Sequence, residues 1–210
     1  CFVGAVMTPI LKVRDLTVSY RGHPAVHHLN GTFAPGKLTA IVGPNGAGKS
    51  TLMAALSGAI ARFEGHIERD PLQRMAYLPQ AAELDRSFPV RVHEVVAMGL
   101  WSRLGPWGAV DAAARDAIHQ ALAAVGLTGF SDRMLGELSA GQAQRVLFAR
   151  VLLQDASVIL LDEPFTGVDV RTEEQIVALL RELRTEGRVM LVSTHNLGSV
   201  PEFCDRTVLV

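Results

Sequence analysis

The chain has 210 residues, of which 49% are hydrophobic and 20% are charged, so it can bury the core of one ordinary globular domain. The formal net charge of −1 gives no electrostatic basis for binding nucleic acid. No apolar run approaches the roughly 20 residues that a membrane-spanning helix needs. Cys1 and Cys204 lie at opposite ends, which favours separate thiols in a reducing compartment over a disulfide.

The two ends of the chain bear on the limits of the natural protein. Residues 2–6 are too few for a signal-peptide core and follow no basic leader. Met7 is a candidate native start, with residues 1–6 a candidate remnant of cloning. Residues 207–210 stop inside a predicted strand, so the natural chain is expected to continue. We therefore expect a single domain over residues 7–210.

The first part of the chain is predicted to consist of strands. Apolar and polar residues alternate over 10–20, as in a half-exposed antiparallel strand. A turn at 21–24 leads to a second strand over 26–33. Residues 38–42 form a short apolar-type run that is typical of a buried parallel strand. Two kinds of strand are therefore expected before the first helix.

Residues 43–50 read GPNGAGKS and match the phosphate-loop pattern G-x-x-x-x-G-K-[ST] at every fixed position. Glycines allow successive N–H groups to point at an anion, and the next helix adds its positive N-terminal end. Lys49 is expected to reach the β- and γ-phosphates and Ser50 to hold Mg²⁺, and a hydroxyl follows at Thr51 for the α-phosphate. A glycine-rich turn before an ordinary helix is the alternative, but the flanking strand and helix favour a nucleotide site. The expected nucleotide-binding residues here are Gly43, Pro44, Asn45, Gly46, Ala47, Gly48, Lys49, Ser50 and Thr51.

The remaining pattern alternates helices with buried strands. Helices are predicted over 50–58, 110–125, 142–153 and 172–186, and strands over 74–78, 158–161 and 189–193. Residues 92–153 are predicted to be a helical subdomain inserted in the α/β core. The predicted fold class is α/β: a P-loop NTPase core with a mixed sheet, an N-terminal antiparallel β-subdomain and the inserted α-helical subdomain.

Two carboxylates follow the buried strand over 158–161. Asp162 ends this strand, and Glu163 comes directly after it. Adjacent strand residues point in different directions, so the two carboxylates cannot perform one task. We expect Asp162 to contact Mg²⁺ through water and Glu163 to polarise the attacking water.

A second loop, LSAGQ over 138–142, lies between the phosphate loop and the Asp162-Glu163 pair. Its position is not expected to reach the phosphate loop of its own chain. The loop therefore suggests that the nucleotide is shared between two chains.

Together these segments resemble the ATP-binding cassette (ABC) family, the ATPase subunits of ABC transporters, over nearly the whole chain. Seven motifs occur in the family's order. They are the adenine-stacking aromatic Tyr20, Walker A at 43–51, the Q-loop glutamine Gln80, the signature loop at 138–142, Walker B at 158–163, the D-loop at 166–169 and the switch histidine His195.

The resemblance implies roles for residues beyond the phosphate loop. Glu163, His195 and Gln80 would be catalytic, and Ser50, Gln80 and Asp162 would hold Mg²⁺. Tyr20 would contact the nucleotide from the same chain. The remaining nucleotide-binding residues would be Ser139, Gly141, Gln142 and Asp169.

Simpler structural roles compete with some of these assignments. Tyr20 could be an ordinary aromatic at a strand end, and His195 could be a loop histidine satisfied by its neighbours. Asp169 could cap the helix that follows it, and it could do both.

Two positions depart from the family pattern. The signature loop usually reads LSGGQ, but Ala140 replaces its first glycine. If that position needs left-handed backbone geometry, alanine would strain the loop. Asn196 follows the switch histidine where Asp is common, which removes a charge but keeps an acceptor.

Residues 85–90, 95–99, 162–169 and 203–206 are similar to the manganese, zinc and iron importer branch. Iron-siderophore and cobalamin importers are close relatives and stay open as alternatives. More remote alternatives are a soluble P-loop enzyme and a non-transport ABC ATPase. The cargo metal is not expected to touch this subunit, since His27, His28, His66 and Cys204 show no ligand-like clustering.

The resemblance also implies an assembly. Two copies would face each other head to tail with ATP between them, Walker A of one copy facing the signature loop of the other. Residues 80–99 would transmit the motion to an integral membrane permease, which works with an extracytoplasmic substrate-binding protein. The subunit would be peripheral to the cytoplasmic face of the membrane and would bind no nucleic acid.

Overall fold

The computed structural model describes residues 11–20, 23–80, 87–105, 108–195 and 204–210. The expectations about residues 1–6, Met7 and Asn196 lie outside the described residues. The side chain of Tyr20 is also outside them, although its backbone belongs to the first strand.

Three strands form an antiparallel sheet near the start of the chain. β1 (Leu11–Tyr20) lies between β2 (His23–Phe33) and β4 (Phe63–Arg69) and is antiparallel to both. β1 and β2 follow the sequence prediction, whereas β4 was not predicted. Most residues of β4 are exposed and only Ile67 is half-buried, so this strand carries no clear alternation of buried and exposed residues.

Five strands form a second sheet, in which every neighbouring pair is parallel. In spatial order they are β5 (Met75–Leu78), β6 (Val158–Asp162), β7 (Val189–Thr194), β3 (Lys37–Val42) and β8 (Arg206–Leu209). The two strand directions of the predicted mixed sheet are thus divided between two sheets. Parallel neighbours need long crossover connections, and the helices between these strands supply them.

The helices are α1 (Lys49–Ser57), α2 (Val92–Ala97), α3 (Trp101–Leu104), α4 (Ala112–Ala124), α5 (Ala140–Leu153) and α6 (Val170–Thr185). Short 3₁₀ turns at Met98–Leu100 and Leu135–Glu137 connect parts of the helical region. Buried side chains of α2, α4 and α5 share one hydrophobic cluster, which continues into the parallel sheet and α6. The bounds of the helical subdomain over 92–153 stay a prediction. None of the described helices is long and apolar enough to cross a membrane.

Buried side chains alternate between the two faces of the parallel sheet. On β6, Val158 and Leu160 pack with α1 and the antiparallel sheet. Ile159 and Leu161 pack with the helical region and α6. Asp162 continues the first series, so the period of two places its side chain on the face that carries α1.

Candidate nucleotide-binding site

The phosphate loop connects β3 to α1, and its backbone needs glycine at two points. Gly46 has φ +84° and Gly48 has φ +97°, a region that residues with a Cβ avoid. Gly48 is also the N-cap of α1, and a Cβ placed there would collide with the carbonyl oxygen of Ala25 on β2. The antiparallel sheet therefore presses directly against the loop and leaves no room for a larger residue.

Lys49 is the first residue of α1, and only 5% of its surface is exposed. Its ammonium group donates to the carbonyl oxygens of Gly43, at 2.8 Å, and Pro44, at 3.0 Å. A buried ammonium needs such partners, and it has three N–H donors in all. Lys49 therefore ties the loop together while a further donor can serve an anionic ligand.

A cleft of about 450 Å³ opens beside the loop, within the size range of small-ligand sites. Its lining residues are Ala25, Asn45, Gly46, Gly48, Lys49, Ser50, Thr51, Gln80 and Glu163. Two residues predicted from separate motifs, Gln80 and Glu163, thus meet the phosphate loop in space. N–H groups at the start of α1 and the Lys49 ammonium give this cleft the character of an anion site.

The two carboxylates after β6 occupy different surroundings. Asp162 is fully buried, and its Oδ1 accepts a hydrogen bond from the Ser193 hydroxyl. Its Oδ2 is buried as well and has no hydrogen-bond partner among the described residues. An unpaired buried carboxylate oxygen is costly, so this atom suits a cation or a cation-bound water.

Glu163 leaves the strand with φ +50°, and its carboxylate meets side chains from three further motifs. Its Oε2 accepts hydrogen bonds from Gln80 Nε2, at 3.3 Å, and from Thr166 Oγ1, at 3.1 Å. Its Oε1 lies 3.3 Å from Nδ1 of His195. The Glu163 side chain is 11% exposed and that of His195 is 53% exposed, so the carboxylate sits at the floor of the site and the imidazole at its rim.

The second loop forms the N-terminus of α5. The Ser139 hydroxyl accepts from the N–H of Gln142 at 3.2 Å, and the Gln142 side chain accepts from the N–H of Ser139 at 3.0 Å. This reciprocal pair is a capping box, and it satisfies two otherwise unpaired N–H groups of the helix. Among the described residues that line the phosphate cleft, none belongs to positions 138–142. Ser139 and Ala140 are exposed instead.

The sequence profile of the ABC transporter family matches residues 26–166. The chain belongs to the ABC transporter family. The match spans the phosphate loop, Gln80 and the Asp162-Glu163 pair at the cleft, and it also spans the exposed loop before α5. The chain is therefore an ATP-binding subunit with ATPase activity.

Curated relatives agree with this family over nearly the full chain. The chain is 43% identical over 211 residues to the chelated iron transport system membrane protein YfeB of Yersinia pestis, covering 96% of this chain and 71% of that protein. It is 43% identical to the manganese transport system ATP-binding protein MntA of Synechocystis sp., covering 95% and 80%. It is 41% identical to the zinc transport system ATP-binding protein TroB of Treponema pallidum, covering 95% and 77%.

Solved structures share the fold. A metal-chelate type ABC transporter in an inward-facing conformation superposes with a TM-score of 0.83 at 29% identity, covering 96% of this chain and 79% of that one. A dimeric bacterial ABC transporter cassette superposes with the same TM-score of 0.83 at 26% identity, covering 95% and 94%. These likenesses confirm the predicted α/β cassette with its antiparallel sheet, parallel sheet and helical region.

The cassette resolves the question raised by Ala140. Ala140 is the first residue of α5, and its φ angle is not positive. The loop therefore requires no left-handed geometry at this position. Gly141 is the constrained position, because a Cβ on it would lie 2.6 Å from the carbonyl oxygen of Gly167. The signature loop therefore packs directly on the D-loop of its own chain, and glycine is needed for closeness of approach.

Asp169 of the D-loop caps α6, as the alternative structural role for this residue predicted. Its carboxylate accepts from the N–H of Thr172 and from the Thr172 hydroxyl, both at 2.9 Å. The backbone hydrogen bond, followed by the hydroxyl, lowers the pKa of Asp169. The residue is nevertheless exposed, so capping leaves its outer side open to another molecule.

Ser193 and Thr166 were given no individual role from the sequence, although Thr166 lies within the D-loop motif at 166–169. Ser193 contacts Asp162, and Thr166 contacts Glu163. The alternation of side chains along a strand could have predicted the position of Ser193. It puts Ser193 on the same face as Val189 and Leu191 and hence beside α1. Thr166 lies on a turn, where no such period applies.

Within the part of the chain that the structure describes, no group of three or more His, Cys, Asp or Glu could hold a metal ion. Burial raises the pKa of the Cys204 thiol to about 12, which makes it a poor ligand at neutral pH. His28 pairs with Asp15 on the surface of the antiparallel sheet at 2.7 Å.

The packing of Gly141 on Gly167 predicts opposite behaviour for two neighbouring substitutions. Gly141→Ala forces the signature loop away from the D-loop, and we expect ATP turnover to fall about 10-fold or more, since displacements of about 1 Å can cost that much. Ala140→Gly changes an exposed first-turn residue, and we expect turnover within about twofold of the natural chain because only helix propensity is lost. Steady-state phosphate release at saturating ATP measures both. Equal losses in the two variants would contradict the packing explanation.

Proposed function

We propose that this chain is the ATP-hydrolysing subunit of an importer that takes up a transition-metal ion, namely manganese, zinc or iron, through a membrane permease. The observation that carries the proposal is the identity of 41–43% to subunits of chelated iron, manganese and zinc transport systems over 95–96% of the chain. The cleft beside Lys49 supplies the energy-coupling site that such a role requires.

ATP would lie along the phosphate loop with its triphosphate over the start of α1. Lys49 and the loop N–H groups would bind the phosphates, and Ser50 and Thr51 line the same cleft with their hydroxyls available. Tyr20 would stack on the adenine. The remaining proposed contacts within this chain are Gly43, Pro44, Asn45, Gly46, Ala47 and Gly48.

Asp162, Ser50 and Gln80 would hold Mg²⁺ at the phosphates. The buried Oδ2 of Asp162, which has no hydrogen-bond partner among the described residues, favours a cation-bound water beside it. Gln80 and Ser50 both line the cleft and carry oxygen donors of the kind that Mg²⁺ prefers. When bound, Mg²⁺ neutralises charge that develops on the transferred phosphoryl group.

Glu163 would polarise the water that attacks the γ-phosphate. Its carboxylate is held by Gln80 and Thr166 on one oxygen and faces His195 with the other, so its direction is defined before ATP arrives. A general base must be within hydrogen-bond reach of its water, and a fixed carboxylate at the floor of the cleft meets that need. His195, at the exposed rim, would contact the γ-phosphate.

A second copy of the chain would complete the site. Ser139 is exposed at the N-terminus of α5, where N–H groups and the helix dipole favour an anion. Ser139 and Gly141 would therefore meet the ATP held by the partner copy, with Gln142 fixing the loop through its capping hydrogen bond. Asp169 would face the same interface. A dimeric cassette is among the solved structures that resemble this chain.

The permease would dock on the helical region next to Gln80. A groove of about 700 Å³ lies between α2, the following 3₁₀ turn and α4. Met98 and Trp101 present exposed apolar surface on it, and Glu94 and Arg115 supply charges of both signs. A short amphipathic segment fits such a groove. Residues 81–86, which follow Gln80 in the sequence, lie outside the described residues.

In this arrangement the subunit is peripheral to the cytoplasmic face of the membrane, and an extracytoplasmic substrate-binding protein delivers the metal to the permease. A second candidate cargo is an iron chelate or cobalamin. It is favoured by the similarity to a chelated iron transport protein and to a metal-chelate type transporter.

Replacing the exposed serine tests whether the site is shared. Ser139→Arg places a long cation where the partner's ATP would bind, and we expect turnover to fall at least about 100-fold, since misplacement of the reacting groups alone can cost that much. Nucleotide binding to the phosphate loop should persist, as a fluorescent ATP analogue would report. Ser102→Arg adds the same side chain at an exposed site on α3 and should leave turnover of the isolated cassette unchanged. Normal turnover in Ser139→Arg would rule out the shared site.

Blocking hydrolysis should trap the ATP-bound dimer. Glu163→Gln keeps the hydrogen-bonding shape but removes the base, so ATP should hold two copies together. Size-exclusion chromatography with saturating ATP should show a doubled mass, and the double variant Glu163→Gln/Ser139→Arg should stay monomeric. A single variant that elutes as a monomer while binding ATP would count against the head-to-tail assembly.

Uptake by the complete transporter tests the cargo. Vesicles containing this chain, its permease and the substrate-binding protein should accumulate labelled Mn²⁺ in an ATP-dependent manner, with Zn²⁺ or Fe²⁺ competing, and the Glu163→Gln assembly should accumulate none. Accumulation of a ferric chelate or cobalamin without free ions would replace the metal-ion assignment by the second candidate.

A further inference from the structure

The end of β7 lies directly beside the end of β6. In the parallel register, Ser193 is the neighbour of Asp162. Both continue the series of residues that face α1, Val189 and Leu191 on β7 and Val158 and Leu160 on β6. Both are fully buried. The strand pattern therefore brings a hydroxyl and a carboxylate together on the same face of the sheet, away from bulk solvent.

The Ser193 hydroxyl uses both its donor and its acceptor capacity at this point. It donates to Oδ1 of Asp162 and accepts from the backbone N–H of Glu163 at 2.9 Å. One hydroxyl can do both because it carries one proton and two lone pairs. Its proton is thereby committed to Oδ1, and the opposite oxygen, Oδ2, stays without a partner among the described residues.

The second hydrogen bond falls at a strained residue. Glu163 has φ +50°, which residues other than glycine adopt only where the surroundings impose it. With regular strand geometry, the pleat would turn the Glu163 side chain to the face opposite Asp162. Because of the left-handed turn, the Glu163 carboxylate instead accepts hydrogen bonds from Gln80 and Thr166.

We propose that Ser193 is a positioning residue for ATP hydrolysis. Through one hydroxyl it fixes the rotamer of Asp162 and the backbone turn of Glu163, so that the two carboxylates diverge toward separate tasks. Ser193 itself is fully buried and is not among the residues that line the cleft. This inference rests on the proposed roles of Asp162 and Glu163.

Removal of the hydroxyl should affect the rate of the chemical step and leave nucleotide affinity unchanged. For Ser193→Ala we expect kcat to fall about 10-fold with KM for ATP within about twofold, because a small displacement of the base slows the reaction more than it weakens binding. Ser193→Thr retains the hydroxyl and should recover most of the rate. Ser157→Ala removes a serine hydroxyl that donates to the carbonyl of Arg74 at the opposite end of β6, and it should behave as the natural chain.

A second measurement does not depend on turnover. Hydrogen exchange of the Glu163 amide, followed by NMR without nucleotide, should accelerate in Ser193→Ala, since that N–H loses its acceptor. It should be unchanged in Ser157→Ala. This readout reports the hydrogen bond itself, so it stays informative even if Ser193→Thr packs poorly.

The outcomes separate this inference from the function on which it rests. Ser193→Ala with natural kcat and natural Glu163 exchange would overturn the positioning role, provided that Glu163→Gln is inactive. Faster exchange without any change in kcat would also overturn it, since the turn would then not matter for catalysis. If Glu163→Gln keeps natural turnover, the proposed role of Glu163 fails, whatever Ser193 does.

Discussion

The parallel register of β3, β6 and β7 is the constraint on which the site depends. Val42 pairs with Thr194, and Asp162 pairs with Ser193, so three strands end at one edge of the sheet. The phosphate loop, Glu163 and His195 each follow one of these ends, and Asp162 is the last residue of β6. A shift of one residue in any of these pairings would turn a site residue to the other face, because the strand period is two.

Two buried charged side chains at this edge, Lys49 and Asp162, each have at least one specific hydrogen-bond partner. Lys49 is satisfied by two carbonyl oxygens of its own loop. Asp162 has one oxygen bound to Ser193 and the other without a partner among the described residues. An unpaired carboxylate oxygen in the interior is expensive, and its position beside an anion site indicates a functional use for it.

The two half-sites of the cassette are also joined within one chain. Gly141 at the start of α5 packs on Gly167, which lies between Thr166 and Asp169. Thr166 in turn donates to Glu163 on the floor of the phosphate cleft. The loop that is proposed to face a partner copy is thus two contacts away from the proposed base of its own site. A displacement at the interface would reach Glu163 through backbone contacts and one hydroxyl.

Much of this molecule followed from sequence alone. The phosphate loop, the carboxylates after a buried strand and most elements were predicted, because each depends on local chemistry: glycines that allow positive φ, apolar runs, caps and strand period.

Tertiary structure decided what depends on contacts between distant residues. It placed β4 at the edge of the antiparallel sheet and divided the strands between two sheets. It assigned the need for glycine to Gly141, whose neighbour is 26 positions away, and left Ala140 in an ordinary helical turn. It also made Ser193 the partner of both Asp162 and Glu163, a relation that exists only once β6 and β7 are paired.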